Sequence, residues 1–339
     1  MTARAIDYAQ ATAPTPGEAL VVAPGIAWLR MPLPFALDHV NLWLLDDGEA
    51  CTAVDTGIAL EPVKAAWRQV LATRKLSRLL VTHFHPDHLG LAGWLREQTG
   101  APLWISQAEY LTAQAIIAEA GSHSVAAMLD FFRAHGLDDT RIEALRQRGN
   151  AYARGVPALP PTFHAIREGQ EIAIGGRSWR VIVGHGHSPE HASLYCENLR
   201  VLIAGDMVLP RISSNISVFA GMPDADALAW FLASIERLRE LPEDTLVLPS
   251  HGLPFRGLHA RIDQLRAHHA DRCDALLEAA ATPKTAAELM PALFPREIVD
   301  AHQTMFAMGE AIAHLNHLEH ARKLMRVVDA GIIRYARNR

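Results

Sequence analysis

The sequence predicts an α+β fold in which stacked sheets form a sandwich flanked by helices, followed by a small C-terminal domain. Short apolar runs bounded by turn residues, which are typical of strands, fall into two groups, at about 23–57 and 171–251. Segments with helical spacing of apolar residues accompany both groups. Because the apolar face of a sheet must be buried against another layer, this pattern predicts sheets covered by helices.

The first group begins with three strand-like runs and continues with alternating helices and strands. The runs are G-I-A-W-L-R (25–30), V-N-L-W-L-L (40–45) and C-T-A-V-D-T-G (51–57). Helical spacing over 62–73 precedes the apolar run L-L-V-T-H, which ends at His83. A second helix is predicted from about 89 to 98, and Gly100 closes it.

Residues 106–161 follow helical spacing and predict a helical insertion, punctuated by glycines. Its start resembles a capping box, in which Ser106 and Glu109 satisfy each other's backbone N–H groups. A helix is also expected near 226–238. The strands of the second group are E-I-A-I-G-G (171–176), W-R-V-I-V-G (179–184), A-S-L-Y-C (192–196), V-L-I-A-G-D (201–206) and T-L-V-L-P-S-H (245–251).

A domain boundary is expected near residue 282, dividing the chain into a larger domain, 1–281, and a small domain, 282–339. Just beyond it, Thr285 and Glu288 predict a second capping box. Two or three helices then lead to two apolar runs that the turn D-A-G at 329–331 would join as a hairpin. Helices followed by a small hairpin predict a winged helix.

Composition narrows the classes of function. The net charge of the 339-residue chain is −5 at pH 7, which gives no general attraction to nucleic acid. Its three cysteines are widely spaced, which indicates neither a disulfide framework nor a thiolate metal site. No uncharged apolar run reaches the roughly 20 residues of a membrane helix, and the N-terminus lacks the apolar stretch of a secretory signal. We therefore expect a cytoplasmic protein that has no membrane partner.

The segment T-H-F-H-P-D-H, residues 82–88, carries the strongest chemical signal. It follows an apolar strand and contains four side chains of metal-ligating type: His83, His85, Asp87 and His88. Because alternate residues of an extended segment point the same way, His83 and His85 can hold one ion while the turn presents the other two to a second. Even in a chain with 18 histidines, these fixed offsets indicate a metal site.

Three further candidate ligands each follow an apolar strand: His187, Asp206 and His251. Strand ends that converge on one edge would preorganise a metal site, and the flanking glycines would allow close backbone approach. His185 is an alternative to His187, since both lie in G-H-G-H, residues 184–187.

Together these segments resemble the motif series of the metallo-β-lactamase superfamily. The matching segments are T-H-F-H-P-D-H (82–88), G-H-S-P-E-H (186–191), G-D (205–206) and S-H-G (250–252). The resemblance covers roughly residues 20–255. It implies an αβ/βα sandwich of two mixed sheets flanked by helices and a metal-dependent hydrolase, and it says far less about the substrate.

The resemblance also implies how two divalent metal ions would be held. The first would be bound by His83, His85 and His187; the second by Asp87, His88 and His251; and Asp206 would bridge them. The family pattern G-H-[ST]-x-G-H places the ligand immediately before Ser188, which favours His187 over His185.

Several neighbours are expected to support the ligands or to face the substrate. Asp55 matches a family position that supports the site from behind, and its removal should weaken metal affinity. His185 and His191 are candidates for the same role or for contact with substrate. Glu190 stands where the family usually has glycine, so its carboxylate would orient a metal-bound histidine, contact the substrate or face solvent.

Zinc is the favoured metal, with iron and manganese as alternatives, because imidazole and carboxylate ligands serve all three. Two such ions would share a bridging hydroxide that attacks an acyl carbonyl, while Asp87 orients it and shuttles a proton. Arg211, just after the Asp206 loop, would anchor a polar or anionic group. We therefore expect a small-molecule acyl substrate: an ester, a thioester or a lactone.

The C-terminal domain leaves a second class of function open. A winged helix accompanies this catalytic domain in several branches of the superfamily, including a single-strand-specific endoribonuclease, so RNA or phosphodiester cleavage is the alternative. Residues 282–339 hold eight Lys or Arg against six Asp or Glu, a weak excess that favours a packing or dimerisation module. A sulfur dioxygenase with one iron ion is a third, less favoured alternative.

Overall fold

A computed structural model describes residues 6–296, 298 and 300–338. The strands in chain order are β1 (Asp7–Tyr8), β2 (Leu20–Ala23), β3 (Ile26–Pro32), β4 (His39–Asp47), β5 (Ala50–Val54), β6 (Leu76–Leu80), β7 (Leu103–Ser106), β8 (Phe163–Ile166), β9 (Glu171–Ile174), β10 (Arg177–Gly184), β11 (His191–Cys196), β12 (Val201–Gly205), β13 (Leu246–Pro249), β14 (Phe255–Arg256), β15 (Leu324–Asp329) and β16 (Ile332–Arg337).

The helices in chain order are α1 (Glu61–Leu71), α2 (Pro86–Leu89), α3 (Ala92–Thr99), α4 (Gln107–Ile117), α5 (Val125–Ala134), α6 (Asp139–Arg148), α7 (Ala151–Gly155), α8 (Ala227–Arg237), α9 (Leu258–Ala279), α10 (Ala286–Leu293) and α11 (Ala301–His320). Short 3-10 turns lie at Gly121–His123 and Leu238–Glu240. Over the part of the chain that the structure describes, no helix combines the length and the apolar character needed to cross a bilayer.

The described strands form two mixed sheets and a separate hairpin. One sheet has the order β2-β3-β4-β5-β6-β7-β8, antiparallel from β2 to β5 and parallel from β5 to β8. The other has the order β1-β14-β13-β12-β11-β10-β9, and its β12 and β13 run parallel. The predicted α+β sandwich of two mixed sheets flanked by helices is confirmed.

Strands β3 and β4 show why the two sheets stack. Trp28 and Trp43 are cross-strand partners, and both are buried in a core cluster shared with Trp179 and other residues of the second sheet. The next pair along, Leu29 and Leu42, belongs to the opposite cluster, which includes residues of α1, α3 and α4. Because successive side chains of a strand point to opposite faces, the paired segments 26–29 and 42–45, which are buried on both faces, are apolar.

The described chain divides into two compact units that interleave in sequence. The first unit comprises the residues up to Ile117, Tyr152–Ser214 and Ser234–Ile262, and it contains both mixed sheets. The second unit comprises Ala118–Ala151, Asn215–Ala233 and the residues from Asp263 onward. The sequential boundary expected near residue 282 stays a prediction.

The two predicted capping boxes have different outcomes. At Thr285 the box is complete, because the Thr285 hydroxyl accepts from the Glu288 N–H and the Glu288 carboxylate accepts from the Thr285 N–H. At Ser106 only one half forms, since the Glu109 N–H lies 3.5 Å from the Ser106 hydroxyl. The Glu109 carboxylate is buried and accepts from the Phe84 N–H instead.

The predicted C-terminal hairpin is present. Strands β15 and β16 pair in antiparallel register from Leu324↔Arg337 to Asp329↔Ile332. Ala330 and Gly331 form the turn with positive φ angles of 48° and 80°, which suits the right-handed twist of a hairpin. Helices α10 and α11 precede the hairpin, and its classification as a winged helix stays a prediction.

Two buried histidines of the second unit make its stability depend on pH. His269 Nδ1 lies 3.1 Å from His314 Nε2, and His314 Nδ1 lies 2.8 Å from the Glu310 carbonyl oxygen. Burial lowers the pKa of His269 to about 2 and that of His314 to about 4, with further lowering by nearby imidazoles and Arg272. Both values lie below the 6.5 of a free imidazole, so the unfolded chain takes up protons first as the pH falls.

When the pH is lowered from about 7.5 to about 5, the unfolding free energy of the parent should fall. We expect that of His314→Gln to fall by roughly 2 kcal/mol less. The stability that the neutral imidazole contributes is present above pH 6.5 and is lost progressively below it. Urea unfolding at both pH values measures the difference. His320→Gln is the control, since His320 is exposed, and an equal loss in parent and His314→Gln would contradict the expectation.

Candidate metal centre

All seven predicted ligands come together in the first unit and form two groups. The first metal group consists of His83, His85, His187 and Asp206; the second metal group consists of Asp87, His88 and His251. Within each group the potential ligand atoms lie within 4.8 Å of one another. His85 and Asp87 are half-buried while the other five are buried, so solvent reaches the groups from the side of those two residues.

The Asp206 carboxylate lies between the two metal groups. Its Oδ2 atom is 3.5 Å from His187 Nε2, and its Oδ1 atom is 3.6 Å from His88 Nε2 and 3.5 Å from His251 Nε2. Asp87 Oδ2 lies 3.4 Å from the same two nitrogens of His88 and His251. One carboxylate therefore faces both groups, and a second completes the group around His88 and His251.

These separations fit a bound cation better than direct hydrogen bonds. Distances of 3.4–3.6 Å are too long for good N–H···O bonds. They are close to the ~3.3 Å that separates two ligands of one tetrahedral ion with bonds of about 2.0–2.1 Å. His88 Nε2 and Asp206 Oδ1 are buried and have no hydrogen-bond partner among the described residues. A metal ion would satisfy both atoms, so the residues present fit the predicted metals.

The electrostatics of the first metal group favour neutral imidazoles. Burial lowers the pKa of His83 well below its ordinary value, and the nearby imidazoles of His88, His85 and His187 lower it further. Burial likewise lowers the pKa of His85 to about 3. Neutral imidazole nitrogens keep the lone pairs that a metal ion requires.

Three carboxylates, those of Asp87, Asp55 and Asp206, surround His88 of the second metal group. Burial alone would raise the pKa of Asp87, but His88 and His251 outweigh it and hold that pKa below its ordinary value. The pKa of Asp206 is lowered in the same way. Burial alone would lower the pKa of His88, yet Asp87 and the other carboxylates raise it. Ionised carboxylates at this depth call for a positive partner, which a divalent cation would supply.

Asp55 holds His88 from behind. Its Oδ2 atom lies 2.8 Å from His88 Nδ1, and its Oδ1 atom accepts from the Thr82 N–H at 2.8 Å. The Thr82 hydroxyl also lies within 3.0 Å of both carboxylate oxygens. With Nδ1 bound to a carboxylate, His88 presents Nε2 to the metal group, which is the arrangement that orients metal-binding histidines.

His251 is held by residues that the sequence reasoning missed. Its Nδ1 lies 2.7 Å from the carbonyl oxygen of His39, and His39 Nε2 accepts from the Gly252 N–H at 2.8 Å. The Asn41 amide donates to the carbonyl oxygens of Pro249 and Gly252. The available signal was two polar residues, His39 and Asn41, at the start of strand β4, before its apolar segment 42–45.

His191 packs beneath the first metal group and contacts Asp206. Its Nε2 accepts a hydrogen bond of 3.0 Å from the Asp206 N–H. Gly205 has a φ of +54°, and a Cβ atom there would lie 2.3 Å from His191 Nε2. The glycine before Asp206 is therefore required by both its backbone conformation and the ring against it.

The remaining candidates lie apart from the ligands. His185 is exposed, and its Nδ1 bonds the Pro189 carbonyl oxygen at 2.6 Å. The Glu190 carboxylate accepts from the Ala108 N–H at 3.3 Å, at the start of α4. Arg211 donates to the Tyr8 hydroxyl at 3.3 Å and stacks over its ring. None of the three side chains belongs to either metal group as the described residues form them.

Two residues of the predicted helical insertion reach the ligand loops, and the sequence reasoning missed both contacts. The Glu109 carboxylate accepts from the Phe84 N–H at 2.8 Å, and the Tyr152 hydroxyl donates to the Phe84 carbonyl oxygen at 2.6 Å. Glu109 lies one turn before Ala113 on the buried face of α4. A carboxylate at a core-facing helical position is the signal that could have revealed it.

Comparison with known proteins identifies the family. Residues 36–251 match the Metallo-beta-lactamase superfamily, and residues 273–338 match the family described as Metallo-beta-lactamase-like, C-terminal domain. A crystal structure of a beta-lactamase domain protein from Burkholderia ambifaria is 46% identical, covers 98% of each chain and superposes with a TM-score of 0.91. The chain belongs to the metallo-β-lactamase superfamily and is a metal-dependent hydrolase.

Curated relatives are more distant. Probable metallo-hydrolase YqjP of Bacillus subtilis (strain 168) is 26% identical over 303 residues, which cover 86% of this chain and 91% of that protein. A hydroxyacylglutathione hydrolase of Fuscovulum blasticum is 26% identical over 223 residues, which cover 65% of each chain. These similarities support the hydrolase class, but they do not identify the particular reaction.

The neighbouring histidines 185 and 187 provide a matched test of the ligand assignment. We expect His187→Ala to lose most of one metal ion per chain, because its Nε2 lies 3.2 Å from His83 Nε2 inside the first metal group. His185→Ala should keep the parent metal content, since its ring is exposed. Plasma mass spectrometry of both purified variants measures the content, and the reverse ranking would overturn the assignment.

Replacing Asp55 should weaken metal binding without unfolding the chain. In Asp55→Asn an amide NH₂ or a weaker acceptor would face His88 Nδ1, so we expect a metal Kd raised roughly 10–100-fold. Asparagine tolerates the φ of +65° at this position. Competition with a chromophoric chelator measures the Kd, and the exposed Asp130→Asn serves as the control. An unchanged Kd in Asp55→Asn would show that Asp55 does not support the metals.

Proposed function

We propose that this protein is a dinuclear metal-dependent hydrolase of acyl substrates, with thioesters as the leading class and esters and lactones as the related ones. The observation that carries the proposal is the position of Asp206, whose two oxygens face opposite metal groups at 3.5–3.6 Å. A carboxylate shared by two groups suits a pair of ions held close together. We propose zinc for both ions, with iron or manganese as alternatives.

The chain's residues supply a defined set of tasks. The first metal group offers three imidazoles and one oxygen of Asp206, and the second offers His88, His251 and the carboxylates. When bound, two divalent cations lower the pKa of water toward neutrality and polarise a carbonyl group.

Asp87 is the residue that we propose to handle the proton. It is the more exposed of the two carboxylates, at 20% of its side chain against 9% for Asp206. Its carboxylate would accept a proton from the attacking water and pass it to the leaving group.

Thioesters lead the ranking because of the relatives. The hydroxyacylglutathione hydrolase from Fuscovulum blasticum shares 26% identity with this chain, and a second protein of that name from Idiomarina loihiensis shares 24% over 218 residues. Fold alone does not identify a substrate, so the proposal is limited to the acyl class. Arg211 stays a candidate anchor for an anionic part of the substrate, since its guanidinium lies on an exposed loop beside Tyr8.

The test is a substrate panel with metal-quantified protein. It comprises a hydroxyacylglutathione thioester, an aryl ester, a lactone, a phosphodiester and a single-stranded RNA. We expect acyl turnover, highest for the thioester, and a fall of roughly 10²–10⁴-fold in kcat/KM for Asp87→Asn. Asp130→Asn, an exposed carboxylate of the second unit, should match the parent.

Two outcomes would overturn the proposal. Cleavage of RNA or phosphodiester without acyl turnover would replace the acyl class by phosphodiester hydrolysis. Acyl turnover that survives in Asp87→Asn at full rate would show that the activity comes from elsewhere in the preparation.

A further inference from the structure

Glu109 is a fully buried carboxylate that belongs to neither metal group. It accepts three hydrogen bonds, from the Phe84 N–H, the Ser188 hydroxyl and the Glu190 N–H. None of these three donors is cationic. A buried carboxylate without a cationic partner is costly, and only its hydrogen bonds offset that cost. Burial accordingly raises the pKa of Glu109 to about 7. A residue that is costly to bury calls for a functional explanation.

The three donors come from the two loops that carry the three histidines of the first metal group. Phe84 lies between the ligands His83 and His85, and its N–H is 2.8 Å from Glu109 Oε2. Ser188 follows the ligand His187, and its hydroxyl is 2.7 Å from Glu109 Oε1. The Glu190 N–H binds that same oxygen at 2.6 Å. Each carboxylate oxygen thus holds a different loop, and the side chain joins the two.

Neighbouring contacts fix the same junction. The Ser106 hydroxyl donates to the Glu190 carbonyl oxygen at 3.1 Å, and the Tyr152 hydroxyl donates to the Phe84 carbonyl oxygen. The backbone N–H and the carbonyl of both loop residues are therefore bonded to side chains of β7, α4 and α7. Since α4 packs into the core through Tyr110 and Ala113, Glu109 itself is rigidly placed.

The two metal groups depend on these loops unequally. The first metal group needs both, because His83 and His85 lie on one loop and His187 on the other. The second metal group takes Asp87 and His88 from the 82–88 loop and His251 from a third loop. A clamp between the 82–88 and 186–191 loops therefore sets the geometry of the first group only.

We propose that Glu109 is a positioning residue that sets the metal affinity of the first metal group by holding the 82–88 and 186–191 loops together. This inference rests on the metal centre of the proposed function and on no particular substrate. Loss of the clamp would free His187 from its 3.2 Å approach to His83, while His88 and His251 keep their hydrogen bonds to Asp55 and to the His39 carbonyl oxygen. The expected consequence is one weakened metal ion out of two.

The test variant is Glu109→Gln, which keeps the size of the side chain. With its amide oxygen facing Ser188 and Glu190, its NH₂ group meets the Phe84 N–H donor, so one of the two loops loses its bond. Glu109→Asp keeps two acceptor oxygens on a shorter stem and should restore part of the affinity. Glu310→Gln is the matched control, because Glu310 is another buried carboxylate, bonded to Arg272 and Asn215 in the second unit.

The experiment is a titration of metal-free protein with Co²⁺, followed by its visible absorption. We expect two ions to bind the parent and Glu310→Gln, and Glu109→Gln to bind one with parental affinity and the other roughly 10–100-fold more weakly. At one equivalent its spectrum should match that of His187→Ala, in which the first metal group is disabled. Glu109→Asp should fall between the parent and Glu109→Gln.

Three results would overturn the inference: an unchanged second binding step in Glu109→Gln, equal weakening of both steps, or the same loss in Glu310→Gln, which would indicate general destabilisation. Because the readout is metal binding, a parent without acyl turnover would overturn the proposed function and leave this result standing.

Discussion

The metal centre depends on the hydrogen bonds around Thr82. Its N–H and hydroxyl bind the Asp55 carboxylate, and its carbonyl oxygen accepts from the Ala192 N–H at 2.8 Å. Thr82 is fully buried, so water cannot replace these bonds and breaking any of them leaves an unsatisfied group. Asp55 follows strand β5 of one sheet, whereas Ala192 lies in β11 of the other. The residue directly before His83 is thereby fixed to both layers of the sandwich.

The same principle recurs around the other ligands. Three of them have such a partner: the Asp55 carboxylate for His88, the His39 carbonyl oxygen for His251, and the His191 ring for the N–H of Asp206. Such support matters because the ligands repel or compete with one another when crowded. Two carboxylates and five imidazoles within two adjoining groups would relax apart if their loops were free, and the affinity for a cation would fall with them.

Several residues that hold the ligand loops lie far from the ligands in sequence. Local sequence patterns therefore do not indicate them. Asn41 bonds Pro249 and Gly252 across 208 and 211 residues, and nothing local indicates those partners. The pattern S-x-x-E before an apolar run predicts that Glu109 is half of a capping box. In the folded chain its carboxylate accepts three hydrogen bonds from two loops instead. Three such bonds stabilise a buried carboxylate more than one bond to the N–H at the start of α4 would.

The seven ligand types at their spacings, the strand before each and the alternation of apolar residues could all be read from the chain, because strand geometry and metal preference act locally. The choice between His185 and His187 needed the family pattern, and only the fold shows one ring buried among ligands and the other exposed. The positions of the Glu190 and Arg211 side chains were likewise decided by their surroundings, a helix start and a tyrosine ring.

The interleaving of the two units could not be predicted from local sequence either, since residues 118–151 cluster with segments more than sixty residues away along the chain. Local sequence specifies which groups are available, and burial and long-range hydrogen bonds decide which of them meet.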